Sequence, residues 1–416
     1  MFGFGKGKVK IEAKAYPAAS AFVNTGQAQY STMSYESLAK EGYKMNAVAF
    51  RCIYMIKQAA GSLDIRLMNE QDDGKGGREK VEVTNHPLLD VLRKPNPMQS
   101  RADFIAEMVA YYLIAGNTYA FNPNDGQAPK RLYPLRPNTV IPISGKQLPT
   151  AFKLDNGVSY PVDQITGKSD VCQIKDFDPL SDWLGQSRLQ ASAVSVDTFN
   201  ASQKWNYNLL KNSAKPSGVL NMKDDGGGMT TEQFNEYKEM ILNSWVSSEG
   251  AGRPQILANL EWTQTSLTPM DMDFQNSQLM AARYIANVFG VPSQLLNIPE
   301  SQTFSNYEQA QLSFWQDTVI PITNVVYGGL ARWLFQFYPD TENFSIEVNL
   351  DKVSALDPIR REKAERLALL ASSGVLTINE AREQLGNPAI DGGDELFISG
   401  TQVPLSAIHD ITDEGE

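Results

Sequence analysis

Hydrophobic positions between Tyr35 and Ala60 fall at Val48, Cys52, Met55, Ile56 and Ala59, mostly three and four residues apart. That spacing predicts one helix, closed by Gly61. The stretch LDIRLMNE then alternates apolar and polar residues as a strand does, QDDGKGGRE reads as a polar loop, and VEV resumes the sheet. HPLLDVLRKPNPMQS predicts a short helix ended by Pro95 and Pro97, and SRADFIAEMVAYYLIAG a longer one closed by Gly116. NTYAFNPNDGQAPKRLYPLRPNTVIPI reads as strand, Asn-Asp-Gly turn and strand, and short strands continue to about Lys175. Residues 35–185 thus mix helices with a small, largely antiparallel sheet, which is an α+β arrangement.

The texture then changes. A long helix is predicted from Ser187 to about Ser213, stopped at Lys215-Pro216-Ser217-Gly218. Beyond it, GVLNM is strand-like, DDGGG is a turn, and Thr230 and Gln233 stand in capping-box spacing ahead of another helix. RPQILANLEWTQTSL supplies one or two more strands, so a strand-helix-strand module, about 215–267, is inserted between two helices. The second of these, about Pro269 to Phe289, places Phe274, Ala281, Ile285 and Val288 on one face. Gly290-Val291-Pro292 stops it, and a polar loop is expected over 291–304.

From Ser305 the helical pattern restarts with Trp315, Val319, Ile322, Val326, Leu330, Trp333 and Phe337. Pro321 lies inside it and removes a backbone donor, so a kink is expected there. NFSIEVNL reads as a strand. Asp357 as N-cap with Pro358 at the first helical position starts a helix that Gly374 stops. Thr377 and Glu380 form a capping box for a last helix ending at Gly386.

Charge narrows the functional classes. With 37 Lys and Arg against 48 Asp and Glu, the net charge is -11, which argues against a protein that grips a nucleic-acid backbone. Lys6, Lys8, Lys10 and Lys14 make the first residues basic, whereas no Lys or Arg follows Glu383. Apolar runs such as Val109 to Ala115 are far shorter than the roughly 20 residues a bilayer span needs, and no secretion signal is evident. A soluble protein is expected.

Candidate chemistry is thin. Cys52 and Cys172 lie in hydrophobic sequence and predict buried free thiols. His86 and His409 belong to no metal-ligand pattern and read as loop residues; no cofactor or metal is expected. GFGKGK lacks the Ser or Thr of a phosphate loop. Ser37 and Lys40 have the spacing of a Ser-Lys nucleophile pair, at the frequency chance provides. In MDMD, Asp271 and Asp273 fall in the first turn of a helix, where acids favour the positive end of the dipole.

The ordered set HPLLDVLRKPNP, LIAGNTYAF with LYPLRPNTV, KNSAKPSGVL, LTPMDMDF, IANVFGVPSQLL and SNYEQAQLSFWQDTVIP runs from His86 to Pro321. In that order and spacing it resembles the portal proteins of tailed bacteriophages, also carried by prophages and gene transfer agents, and the resemblance extends over about residues 35–390. The resemblance implies a ring, usually of twelve copies, at one vertex of an icosahedral head. Double-stranded DNA would be pumped through its axis and leave by the same route. The implied partners are further copies of the chain, the DNA, the large terminase subunit, a head-tail adaptor, and the major capsid and scaffold proteins. Its implied place is the capsid portal vertex, and the host cytoplasm during assembly, with no membrane.

Mapped by matching segments, 1–34 is an arm, 35–185 resembles the wing, and 186–214 and 268–290 resemble stem helices around a clip at 215–267. Residues 291–304 resemble the tunnel loop, 305–356 a kinked helix and strand completing the wing, and 357–416 the crown with an acidic tail. The implied channel loop comprises Asn297, Ile298, Pro299, Glu300, Ser301, Gln302 and Thr303; Asp271, Asp273, Gln278 and Arg283 belong to the stem, and Pro321 to the kink. No catalytic residue is implied. The alternatives are another head or tail adaptor, or a hydrolase using Ser37 and Lys40. Physics adds one point: loop 291–304 holds one acid, Glu300, and no Lys or Arg, so it can touch DNA without clamping it.

Overall fold

The structure is a computed structural model and describes residues 22–24, 27–29, 34–72, 77–211, 218–222, 260–264, 274–298 and 304–396. The chain divides into two compact units, residues 1–349 and 350–416.

In the first unit a helical turn, α1 (Tyr35–Ser37), runs straight into a π-helical segment, Leu38–Lys44, and ends. A separate helix, α2 (Ala47–Ser62), then starts at Asn46. The single helix expected from Tyr35 is therefore two. The buried Asn46 side chain accepts from the backbone N–H of Val48 and Ala49 and donates to Asn200 Oδ1 at 3.0 Å, a cap locked from outside the segment. Nor does Gly61 close α2. It sits inside the last turn, where a Cβ would lie 2.6 Å from the Ala102 carbonyl oxygen, so the bare glycine lets α2 press on the start of its neighbour.

That neighbour is α4 (Arg101–Ala115), which follows α3 (Pro87–Arg93) and is opened by a capping box between Ser100 and Asp103. It is apolar nearly all round. Phe104, Ile105, Met108, Val109 and Leu113 are fully buried, and α2 packs against it with Cys52, Ile53 and Ile56. Each such side chain contributes about 1.5–3 kcal/mol of burial, which makes this pair the centre of the unit. His86 is not a loop residue; it is the buried N-cap of α3, accepting from Leu88 N at Nδ1.

Strands surround the helices in small sheets. β3 (Asp64–Asp72) lies between β4 (Arg78–Glu82) and β13 (Phe344–Asn349), the last returning from far along the chain. β5 (Asn117–Phe121) lies between β6 (Tyr133–Leu135) and β10 (Val171–Lys175). β7 (Val140–Ile143), β8 (Ala151–Leu154) and β9 (Ser159–Pro161) form a third sheet, sharing a core with Tyr119 and Phe152. Two-stranded pairs join β1 (Phe22–Asn24) to β2 (Gln27–Gln29) and β11 (Gly218–Met222) to β12 (Leu260–Gln264). Every pairing among the described residues is antiparallel, and the protein is α+β.

The expected helix from Ser187 is also interrupted. α5 (Arg188–Ala191) stops at Ser192, whose hydroxyl donates to the Leu189 carbonyl, and α6 (Ala193–Lys211) begins afresh. α7 (Phe274–Phe289), α8 (Phe304–Ser313), a π-helical segment Phe314–Val319 and α9 (Ile320–Leu334) complete the unit's helices. The expected helix of the inserted module, with Thr230 and Gln233, lies outside the described residues, as do the basic N-terminal residues and the acidic tail.

The second unit begins at Leu350. Its helix α10 (Asp357–Ser372) is capped at Leu356, one residue earlier than expected, so Asp357 sits in the first turn beside Arg360. The Arg360 guanidinium also donates to the carbonyls of Leu350 and Val353, tying the lead-in chain to the helix. Gly374, at φ 72°, ends α10, and the Thr377–Glu380 capping box opens α11 (Ile378–Gln384) as expected.

Candidate functional site

The segment from α7 through Val319 carries most of the expected channel residues that the structure describes. α7 packs on α6 and also on α2, and Ala281, Ala282, Ile285 and Ala286 are buried. Alanines at three of these four positions suit close helix packing. At about 1.5 Å per residue the 16 residues of α7 span about 24 Å. Gln278 and Arg283 are half-buried on α7, whereas Asp271 and Asp273 lie outside the described residues. Met280 and Tyr284 are exposed on the same helix.

Why α7 stops is visible in its last bonds. Gly290 adopts φ 71°, its N–H donates to Asn287 O at 2.9 Å, and Val291 N–H reaches back to Ala286 O at 2.9 Å. These two bonds are a Schellman cap, with Val291 buried against the helix end and Pro292 preventing continuation. Arg188 donates to the Phe289 carbonyl, satisfying another last-turn acceptor with a cation at the negative helix end.

The expected loop does not leave the body at Val291. Ser293–Leu296 form a 3-10 turn, Val291, Leu295 and Ile298 are buried, and Asn297 turns the chain with φ 54°. Their spacing of four and three residues was the available signal, masked by the polar residues between them. Of the expected loop residues, Asn297 is exposed and Ile298 is a buried anchor, while Pro299, Glu300, Ser301, Gln302 and Thr303 lie outside the described residues. The returning helix starts at Phe304.

A cross-brace joins the two sides. Thr318 Oγ1, in the π-helical segment, donates to Gly290 O at 2.5 Å across 28 residues of sequence. Pro321 stands second in α9, so the departure from α-helical bonding lies directly N-terminal to the proline that was expected to cause a kink. Among the described residues from 274 to 319, charged side chains are limited to Arg283, Glu308 and Asp317. Asp317 accepts from Ser313 Oγ at 2.6 Å and is exposed. Nothing here clamps an anionic polymer; the surface is neutral to acidic.

At the chance-level Ser37–Lys40 match, Ser37 Oγ donates to Glu41 Oε2 at 3.3 Å. Cys52 and Cys172 are buried thiols, both pushed up to about 12 by burial. No helix among the described residues is long and apolar enough to cross a membrane.

Comparison with known proteins places the chain in a family. An uncharacterized protein of Rickettsia bellii (strain RML369-C) is 32% identical over 380 residues, covering 90% of this chain and 95% of the other. The portal protein of Enterobacteria phage HK97 is 25% identical over 369 residues, covering 86% and 83%. Among solved structures, a chain from the neck of the native gene transfer agent particle, computed with C12 symmetry, superimposes with a TM-score of 0.62 at 30% identity, covering 86% of this chain and 94% of that one. A family model described as phage portal protein matches residues 47–386, and the chain belongs to that family.

Proposed function

We propose that this chain assembles as a closed ring, twelve copies in the likeness of the particle neck, and forms the channel through which double-stranded DNA enters and leaves a capsid. The observation that carries this reading is the near end-to-end match to a chain of a C12 neck, 86% of one against 94% of the other. In this ring α6 and α7 are the stem wall, residues 215–267 the clip that meets the terminase motor and later the head-tail adaptor, and 299–303 the point of contact with moving DNA. Residues 35–185 and 305–356 make the wing, facing capsid and scaffold proteins, and 357–416 the crown. The protein itself does no chemistry; the motor supplies the work. A scarcity of cations along 274–319 suits a wall past which a polyanion must slide.

Negative-stain microscopy and native mass spectrometry of the full chain test the ring: closed particles with a central hole are expected, and a monomer at every concentration would sink the proposal. Deleting Pro299 to Thr303 is expected to leave rings intact while DNA packaging falls. Rings that no longer close would make the segment an assembly element instead.

A further inference from the structure

Two surface features at opposite ends of one hairpin remain unused by the channel. α4 and β5 run back to back through Gly116, and each end of this hairpin carries an unusual surface. At the turn end, Phe177 and Leu180 are 79% and 82% exposed on a loop with Asp176, Asp178 and Asp182. That loop is held firmly. Asp178 Oδ1 accepts from Leu180 N at 2.8 Å, Asp176 Oδ1 from Phe177 N at 2.9 Å, and the one lysine present, Lys175, donates to the Asp182 carbonyl. Asp176 N donates to Gly116 O at 2.8 Å, fixing the knob to the hairpin turn.

At the open end, Leu132 N donates to Pro95 O at 2.7 Å and Asn96 Nδ2 to Leu132 O at 3.0 Å. This clasp brings Arg93 and Lys94 beside Lys130 and Arg131, all four exposed, with Met98 89% exposed next to them. Asp90, one turn back on α3, is the acid on that element. In a chain of net charge -11, four cations gathered by a backbone clasp are a local inversion of sign. The ends stand about 22 Å apart along the 15 residues of α4.

We infer that the acidic, apolar knob at Phe177–Leu180 docks on the basic patch around Met98 of the next copy, forming a head-to-tail contact of the ring. The inference rests on the ring reading above. A head-to-tail interface needs two different complementary surfaces on each copy, and only such an interface closes a ring. Charge of opposite sign, an apolar residue at each surface, and a rigid element between them meet that requirement. The prefixed loop loses little entropy on docking, which favours affinity per contact.

The test uses two full-length variants, one with Phe177→Ser and Leu180→Ser, the other with Lys130→Glu and Arg131→Glu. Each alters exposed side chains, and circular dichroism checks that both stay folded. Each alone is expected to lose rings, with the assembly concentration raised at least tenfold. Mixed, each retains the surface the other lacks, so they should pair as a heterodimer through the one intact contact and go no further. A third variant, Asp178→Lys with Asp182→Lys, is expected to restore closed rings in the Lys130→Glu, Arg131→Glu background. Single variants that still form rings at the wild-type concentration would overturn this contact while leaving the ring itself standing. Rings lost with neither heterodimer nor restoration would also overturn it. A wild-type chain that never forms rings would instead defeat the channel reading.

Discussion

Gly116 and Gly290 solve the same local problem in different surroundings. Each ends a helix in left-handed backbone, at φ 69° and 71°, where glycine alone is free of strain. At Gly116 a Cβ would lie 2.4 Å from backbone atoms of Gln186 and 2.6 Å from the Gly185 carbonyl oxygen. At Gly290 it would meet the Thr318 hydroxyl at 2.5 Å, a side chain that can rotate. The first corner is therefore rigid because backbone packs on backbone, and the second is held by a brace that can yield. The two corners differ in what fills the space beside an identical turn.

The largest expected effect is at the rigid corner. Gly116→Ala should cost about 4 kcal/mol, from left-handed strain together with a clash no rotamer relieves, and urea unfolding would measure it. Cys172 reports the same event: it pairs with Ala120 in the sheet beside that corner, and its thiol, neutral up to about pH 12 when folded, should resist alkylation at pH 9 in the wild type and react in this variant. The sign follows from the raised value. The folded state favours the protonated thiol, so this contribution is whole below the unfolded value of 9.0 and is lost as pH rises toward 12.

Gly290→Ala should cost less, about 2 kcal/mol, and leave Cys172 protected. If the brace is what resists, the penalty in a Thr318→Ala background should drop by about 1 kcal/mol, a coupling a double-mutant cycle reads directly. Equal penalties in both backgrounds would mean that the two corners are alike after all. Thr318→Ala alone removes one hydrogen bond and should cost about 1 kcal/mol, seen as faster amide exchange at Val291 and Ile298. The smallest effect is expected at Tyr327, fully buried on α9, whose hydroxyl has no hydrogen-bond partner among the described residues. Tyr327→Phe should shift stability by under about 0.5 kcal/mol or raise it, since it removes an unsatisfied polar group.

Regular elements were legible wherever their signals were local. The capping box at Thr377–Glu380, the apolar run of α4 and the glycine stops at Gly116, Gly290 and Gly374 all sit within a few residues of what they control. Interruptions were not legible when their cause lay elsewhere. Asn46 breaks the first helix with help from Asn200, 154 positions away, and Gly61 serves the carbonyl of Ala102 rather than its own helix end. In the candidate channel segment the cation-poor composition was readable, but the burial of Val291, Leu295 and Ile298 was hidden by polar neighbours. The opposed knob and patch could not be seen at all: their charges are plain in the sequence, but their positions follow from how α4 and β5 fold back on each other.

The hydrogen bond between Thr318 and Gly290 makes everything between them a closed bight, tied at its neck. Lengthening such a bight changes its closure entropy only slowly, by about 0.6 kcal/mol for each doubling. On the channel reading proposed above, inserts or substitutions at 299–303 would alter what the bore presents to its cargo while the knot between Thr318 and Gly290 is left untouched.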